Sequence, residues 1–293
     1  MRMHRLALAL GLLAVPAAAQ DTPRIAVVNY PLAYFAERLG GEGVEVLFPV
    51  PDGTDPAFWR PGIADIAAIQ GADLIALNGA GFAQWTTKAS LPRSRLVDTS
   101  AEFSDAYIKT ETVTHSHGDD GEHSHTGTAT YIWLDFELAA SQAEALSAAM
   151  ARRVPGAGEG LDARLSELTA DLEALDAQAA EVGAALEGRT IIATHPRYQY
   201  FAKAYGLEIA SLEWAAGEMP SAAEWEDLAA LLAGSENAIL IWETDPPEEA
   251  LQQASELGAT NVVFPPLAAR PAGGADFVAA MTSSLQALGA TAE

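Results

Sequence analysis

Of the six histidines in this 293-residue chain, four fall within Thr114-His115-Ser116-His117-Gly118-Asp119-Asp120-Gly121-Glu122-His123-Ser124-His125. Two His-x-His pairs separated by glycines and acids concentrate imidazole and carboxylate donors that suit borderline ions such as zinc, copper and nickel. The glycines and serines fix no shape, so capture must overcome ordering entropy and is expected to be weaker than in a rigid cage. The competing reading of the same residues is a solvated linker.

Elsewhere the chemistry is sparser. His195 follows the apolar run Thr190–Thr194 and precedes Pro196; a lone histidine there caps the next helix, hydrogen-bonds locally or binds a ligand. Glu243 and Asp245 close the run Ile239-Leu240-Ile241-Trp242, and Asp52 and Asp55 lie in the loop Pro49–Pro56. Phe58, Trp59, Arg60, Tyr131, Trp133, Arg197, Tyr198 and Trp242 are bulky neighbours of these groups along the sequence. Rings with an arginine can stack and fork onto an organic ligand or a metal chelate, or simply fill space. The chain has no cysteine, which excludes thiolate zinc sites, disulfides and thiol nucleophiles. Nothing of the HExxH or nucleophile-elbow kind occurs, so no enzyme is expected.

These groups need elements to position them. The first half reads as strand Arg24–Val28, helix Leu32–Leu39 closed by Gly40-Gly41, strand Val44–Phe48, helix Ile63–Gln70 and strand Leu74–Leu77. The second half reads as strand 190–194, helix 198–205, strand 207–212, helix 222–232, strand 238–242, helix 247–257, strand 261–264 and helix 275–288. This rhythm implies α/β architecture, two βα lobes with parallel sheets. Between them Leu161, Leu165, Leu168, Leu172, Leu175, Ala179, Val182 and Leu186 recur at spacings of four and three between Gly160 and Gly188. That pattern predicts one long backbone helix, roughly 40 Å, joining the lobes; a coiled-coil dimer is the competing reading. A long helical joint leaves little room for hinge closure and places a ligand cleft at the carboxyl ends of the strands.

The N-terminus bounds the location. Met1-Arg2-Met3-His4-Arg5, an apolar run Leu6–Val15 and Pro16-Ala17-Ala18-Ala19 have the layout of a cleavable export signal. The organisation expected is therefore signal peptide 1–19, N-terminal lobe 20–155 including the His-rich loop 114–126, linking helix 156–188 and C-terminal lobe 189–293. The formal charge of the whole chain is −24. Loss of Arg2 and Arg5 leaves 14 basic against 40 acidic residues, a charge of −26. Such acidity disfavours nucleic acid and anionic lipid as partners and suits cation handling. A periplasmic, monomeric protein is expected.

The segments resemble the solute-binding proteins of bacterial zinc and manganese ABC transporters. The resemblance rests on Asn29-Tyr30-Pro31-Leu32-Ala33-Tyr34-Phe35-Ala36, Pro49–Pro56, Ala72–Gly79, Ile132-Trp133-Leu134-Asp135, Thr194-His195-Pro196 with Tyr200–Leu207, and Pro266-Leu267. It implies two lobes joined by one helix, an inner-membrane ABC permease as partner and four inward metal ligands. At those four positions this chain carries Ala57, Tyr131, His195 and Pro265. Only His195 is a ready donor. Ala57 and Pro265 have no side-chain donor, and a phenol with an ordinary pKa of about 10 ligates well only to strongly acidic metals.

Metal-binding candidates are therefore His195, His115, His117, His123 and His125, with Glu243 and Tyr131 as replacement ligands beside Asp245, Asp52 and Asp55. The function implied is a periplasmic receptor for zinc, or another divalent transition metal, with an altered cleft and a metal-collecting loop. Two other readings stand beside it: a diverged receptor for a metal chelate or small organic solute, and a periplasmic metal buffer with no transport role.

Overall fold

The computed structural model describes residues 22–110, 127–154, 156–235 and 237–292. The export signal and His115, His117, His123 and His125 lie outside the described residues.

Two four-stranded parallel sheets form the frame. The first has the order β2-β1-β3-β4, built from β1 (Arg24–Val27), β2 (Glu45–Leu47), β3 (Leu74–Leu77) and β4 (Leu96–Asp98). Helix α1 (Tyr30–Gly40) follows β1, and α2 (Ile63–Gln70) leads into β3. Asn29 starts α1 by accepting a hydrogen bond from Leu32 N at 3.2 Å, and the chain leaves it through Gly41 at φ 54°. Tyr30–Ala36 and Leu39 are all buried: the first two turns are apolar on every side and sit inside the molecule, while Glu37 and Arg38 mark the partly exposed face of the last turn.

A two-stranded antiparallel hairpin, β5 (Lys109–Thr110) with β6 (Gly127–Thr128), flanks the residues that carry the His-rich segment. Helix α3 (Phe136–Arg153), capped by Asp135, is followed along the chain by the long α4 (Leu161–Ala185). The second sheet has the order β10-β9-β7-β8, from β7 (Ile191–Ala193), β8 (Ile209–Ser211), β9 (Ala238–Trp242) and β10 (Ala259–Val263). Helices α5 (Gln199–Ala204), α6 (Ala222–Leu232) and α7 (Glu248–Glu256) connect its strands, and α8 (Phe277–Gly289) follows β10.

The 25 residues of α4 span about 38 Å. Its stripe of Leu161, Leu168, Leu172, Leu175, Ala179 and Val182 is buried against α1 and α3 on one side and α8 on the other. The periodic leucines thus pack within their own chain. Each fully buried leucine contributes about 1.5–3 kcal/mol relative to an exposed one. Because α4 touches helices of both lobes, one continuous hydrophobic cluster runs from Ile25 to Leu288.

Two differences from the sequence reading have physical causes. Helix α3 was not expected: its buried face is Ala139, Gln142, Ala143, Ser147 and Ala149 between Phe136, Leu146 and Met150, too many small and polar side chains for a visible apolar stripe. Strand β4 has three residues, too few to establish a period. Among the described residues no helix is long and apolar enough to cross a membrane.

Candidate functional site

Each parallel sheet has a point where strand order reverses, and the chain ends there face the interlobe cleft. In the second sheet that point lies between β7 and β9, which deliver His195, Arg197 and Glu243. In the first it lies between β1 and β3, where a buried polar network forms. Asn29 Nδ2 donates to Asn78 Oδ1 at 3.0 Å, Gln142 Nε2 donates to Thr99 Oγ1 at 3.0 Å, and Asn78 Nδ2 donates to the Thr130 carbonyl at 2.9 Å. The last bond fixes the backbone next to Tyr131.

At the centre of the cleft stands a guanidinium. Arg197 is 7 % exposed; its Nη2 donates to Asp55 Oδ2 at 2.8 Å and its Nε to Glu243 Oε2 at 3.2 Å. Its Cζ lies 4.7 Å from the Tyr131 ring centroid and 5.4 Å from that of Phe58. Asp55 is held in place from the loop side, since its Oδ1 accepts from Ala57 N at 2.8 Å. Burial alone would lower the Arg197 pKa, but Tyr131, Asp55 and Glu243 outweigh it and raise the value. Burial, reinforced by Asp55 and Glu243 against the opposing Arg197, pushes the Tyr131 phenol far above its ordinary range. Tyr131 is therefore neutral at physiological pH.

His195 is arranged differently. Its Nδ1 lies 2.9 Å from the Trp214 carbonyl oxygen. A carbonyl only accepts, so Nδ1 carries a proton; the tautomer protonated there alone has its lone pair on Nε2, the orientation a metal-binding imidazole takes when a carbonyl holds its other nitrogen. Ala57 and Pro265 offer no donor atoms. The backbone around Pro265 instead ties the lobes together: Trp133 Nε1 donates to the Pro266 carbonyl at 2.7 Å, and Tyr30 N to the Ala268 carbonyl at 2.8 Å.

The site residues expected from sequence thus fall into separate groups. Glu243 and Tyr131 meet, but around Arg197. Asp55 joins them across the cleft, while Asp52 and Asp245 are exposed. Among the described residues, no three His, Asp or Glu side chains converge on a point that could hold a metal ion. The sequence reading placed Arg197 among bulky cleft groups and missed its role as the cation that holds both carboxylates. The available signal was the His-Pro-Arg order of residues 195–197 in a chain lacking donors at three ligand positions.

A cavity of about 390 Å³ opens on one side, lined by Asp55, Tyr131, Glu243, Asp245, Pro265 and Arg270 among others. Another, of about 450 Å³, lies on the first-lobe side and reaches Arg197.

A family model described as ZnuA, zinc-uptake complex component A, periplasmic, matches residues 25–291. Among curated relatives, the zinc-binding lipoprotein AdcA of Streptococcus pneumoniae serotype 4 is 23% identical over 281 residues, covering 92% of this chain and 56% of the relative. The high-affinity zinc uptake system protein ZnuA of Bacillus subtilis is 27% identical over 260 residues, covering 83% of this chain and 78% of that one. The chain thus spans little more than half the length of AdcA. Among solved structures, the Zn(II)-bound ZnuA-like domain of Streptococcus pneumoniae AdcA has the same fold, with TM-score 0.77 at 19% identity over 93% of this chain and 99% of that one. A crystal structure of ZnuA gives TM-score 0.70 at 25% identity, covering 93% of this chain and all of the other.

Proposed function

We propose, since the chain belongs to the family of periplasmic zinc-uptake complex component A proteins, that it is the substrate-binding component of a metal ABC uptake transporter. The cargo is zinc or a related divalent ion, the partner an inner-membrane permease, and the location the periplasm after removal of residues 1–19. The protein acts as a monomer, consistent with an α4 stripe satisfied within its own chain.

The observation that carries the reading is the state of His195. It sits at the carboxyl end of β7 in the interlobe cleft, with Nδ1–H committed to Trp214 and Nε2 available to an incoming ion. One imidazole holds zinc poorly. Glu243 and Asp55, both bonded to Arg197 in the cleft, are the anionic candidates to complete a site, and both must exchange Arg197 for the ion. Tyr131, neutral and packed under the guanidinium, contributes shape and a low-dielectric wall rather than charge. His115, His117, His123 and His125 act as a collector that raises the local concentration of metal.

The test is calorimetric titration of zinc into residues 20–293, into His195→Ala and into a form lacking 115–125. The receptor reading expects a site that survives loop deletion and is lost in His195→Ala. Binding that vanishes only with the loop would identify a metal buffer instead.

A further inference from the structure

The two cavities beside Arg197 carry opposite charge. The one lined by Asp55, Glu243 and Asp245 has a single base, Arg270, among the described residues that line it. The other is lined by Arg60, Lys88 and Arg197, with no acid among the described residues that line it. That is the reverse of the chain as a whole, in which 40 acids face 16 bases. Arg197 stands at the border, lining the basic cavity while bonding two acids of the other.

The basic cavity is also aromatic. Phe58, Trp59 and Trp85 line it; the two indoles meet edge to face, with centroids 5.9 Å apart at 85°. Phe58 is 70% exposed, which leaves a face of its ring open to a ligand in the cavity. At about 450 Å³ the space lies within the range of small-molecule sites. Cationic side chains attract and fork onto carboxylates, and the rings offer faces for a flat group.

We propose that this cavity is a binding site for a small planar organic carboxylate. Arg60 and Lys88 at the rim take its charge, and Trp59 and Phe58 cover its flat face. The site shares Arg197 with the proposed zinc-binding position, while Arg60, Lys88 and the rings belong to it alone.

The test uses salicylate as a planar carboxylate and benzyl alcohol as a neutral ring of similar size, titrated calorimetrically into the metal-free protein. Salicylate should bind, benzyl alcohol should not, and the double variant Arg60→Gln/Lys88→Gln should weaken salicylate by about tenfold or more. Arg152→Gln, which removes an exposed base on α3, should leave its affinity unchanged. Both sets of substitutions are on the surface, and unchanged melting temperatures would show that the variants are folded. The proposal is overturned if salicylate fails to bind at about 10 mM, if benzyl alcohol binds equally well, or if the double variant binds like the parent.

Discussion

Arg197 Nη2 lies 2.8 Å from Asp55 Oδ2, an ion pair that crosses from the second lobe to the first. With Glu243 on the other edge of the guanidinium at 3.2 Å, a positive charge sits between two carboxylates in the interlobe cleft. Three of the four expected donor positions hold Ala57, Tyr131 and Pro265, and the cation in the cleft belongs to the protein itself.

Arg197→Met is therefore expected to act in two ways. Without metal it leaves Asp55 and Glu243 uncompensated, and Glu243 is only 11 % exposed at its side chain, so the melting temperature should fall. Breaking a buried pair in this way costs about 3–5 kcal/mol at most, less here because Asp55 is partly solvated. With zinc present, the freed carboxylates join His195, affinity should rise by about tenfold or more, and binding should restore much of the lost stability. Thermal melts with and without zinc, alongside calorimetry, check both parts. Zinc affinity equal to that of the parent would show that the guanidinium does not compete with the ion.

Tyr205 ties three elements together. Its hydroxyl donates to Asp176 Oδ1 of α4 at 2.8 Å and accepts from Phe136 N at the start of α3 at 3.1 Å. Tyr205→Phe keeps the ring packing but leaves the buried Phe136 N–H unsatisfied, at a cost of about 1–3 kcal/mol. Urea denaturation should show a lower midpoint with an unchanged slope.

Gly183 lies where α4 passes close to the end of α5. A Cβ added there would stand 2.3 Å from the Tyr205 carbonyl oxygen and 2.9 Å from its Cβ, so α4 and the Tyr205 backbone would have to separate. Gly183→Ala should destabilise by about 1–3 kcal/mol despite alanine's better helix propensity. The solvent-exposed Gly188, at φ 75° with open space around its Cβ position, would instead be strained by its backbone conformation alone. A smaller fall in melting temperature for Gly183→Ala than for Gly188→Ala would contradict the close-packing argument.

The two-lobe frame was legible because its strands are short apolar runs and its helices end at glycines or begin at caps such as Asn29. The stripe from Leu161 to Val182 likewise announced α4. Helix α3 was hidden because it buries Gln142, Ser147 and three alanines beside only three large apolar residues. Its signal is tertiary: Gln142 is inside because Asn78 and Thr99 are there to bond it. At the site, the loss of donor types at residues 57, 131 and 265 could be read directly from the residues. The pairing of Arg197 with Asp55, 142 positions apart in the chain, depends on how the two lobes meet, which local spacing does not encode.

Asp135 offers a test by pH. It caps α3, accepting from Leu138 N at 3.1 Å, yet burial raises its pKa above the ordinary value of 3.8, with Glu137 and Asp176 adding to the rise and the bond from Leu138 opposing it. A raised carboxylate binds its proton more tightly in the folded state than in the unfolded one. Its contribution to stability is therefore fully present below 3.8 and is lost as pH rises through the folded value. Asparagine caps about as well as aspartate and does not titrate. The melting temperature of Asp135→Asn relative to the parent should accordingly be lowest below 3.8, climb as pH rises through the folded value, and then level off. Because both proteins share every other titrating group, the difference isolates residue 135. A difference that is flat across this interval, or that falls with rising pH, would mean the folded protein does not hold the Asp135 proton more tightly than the unfolded chain.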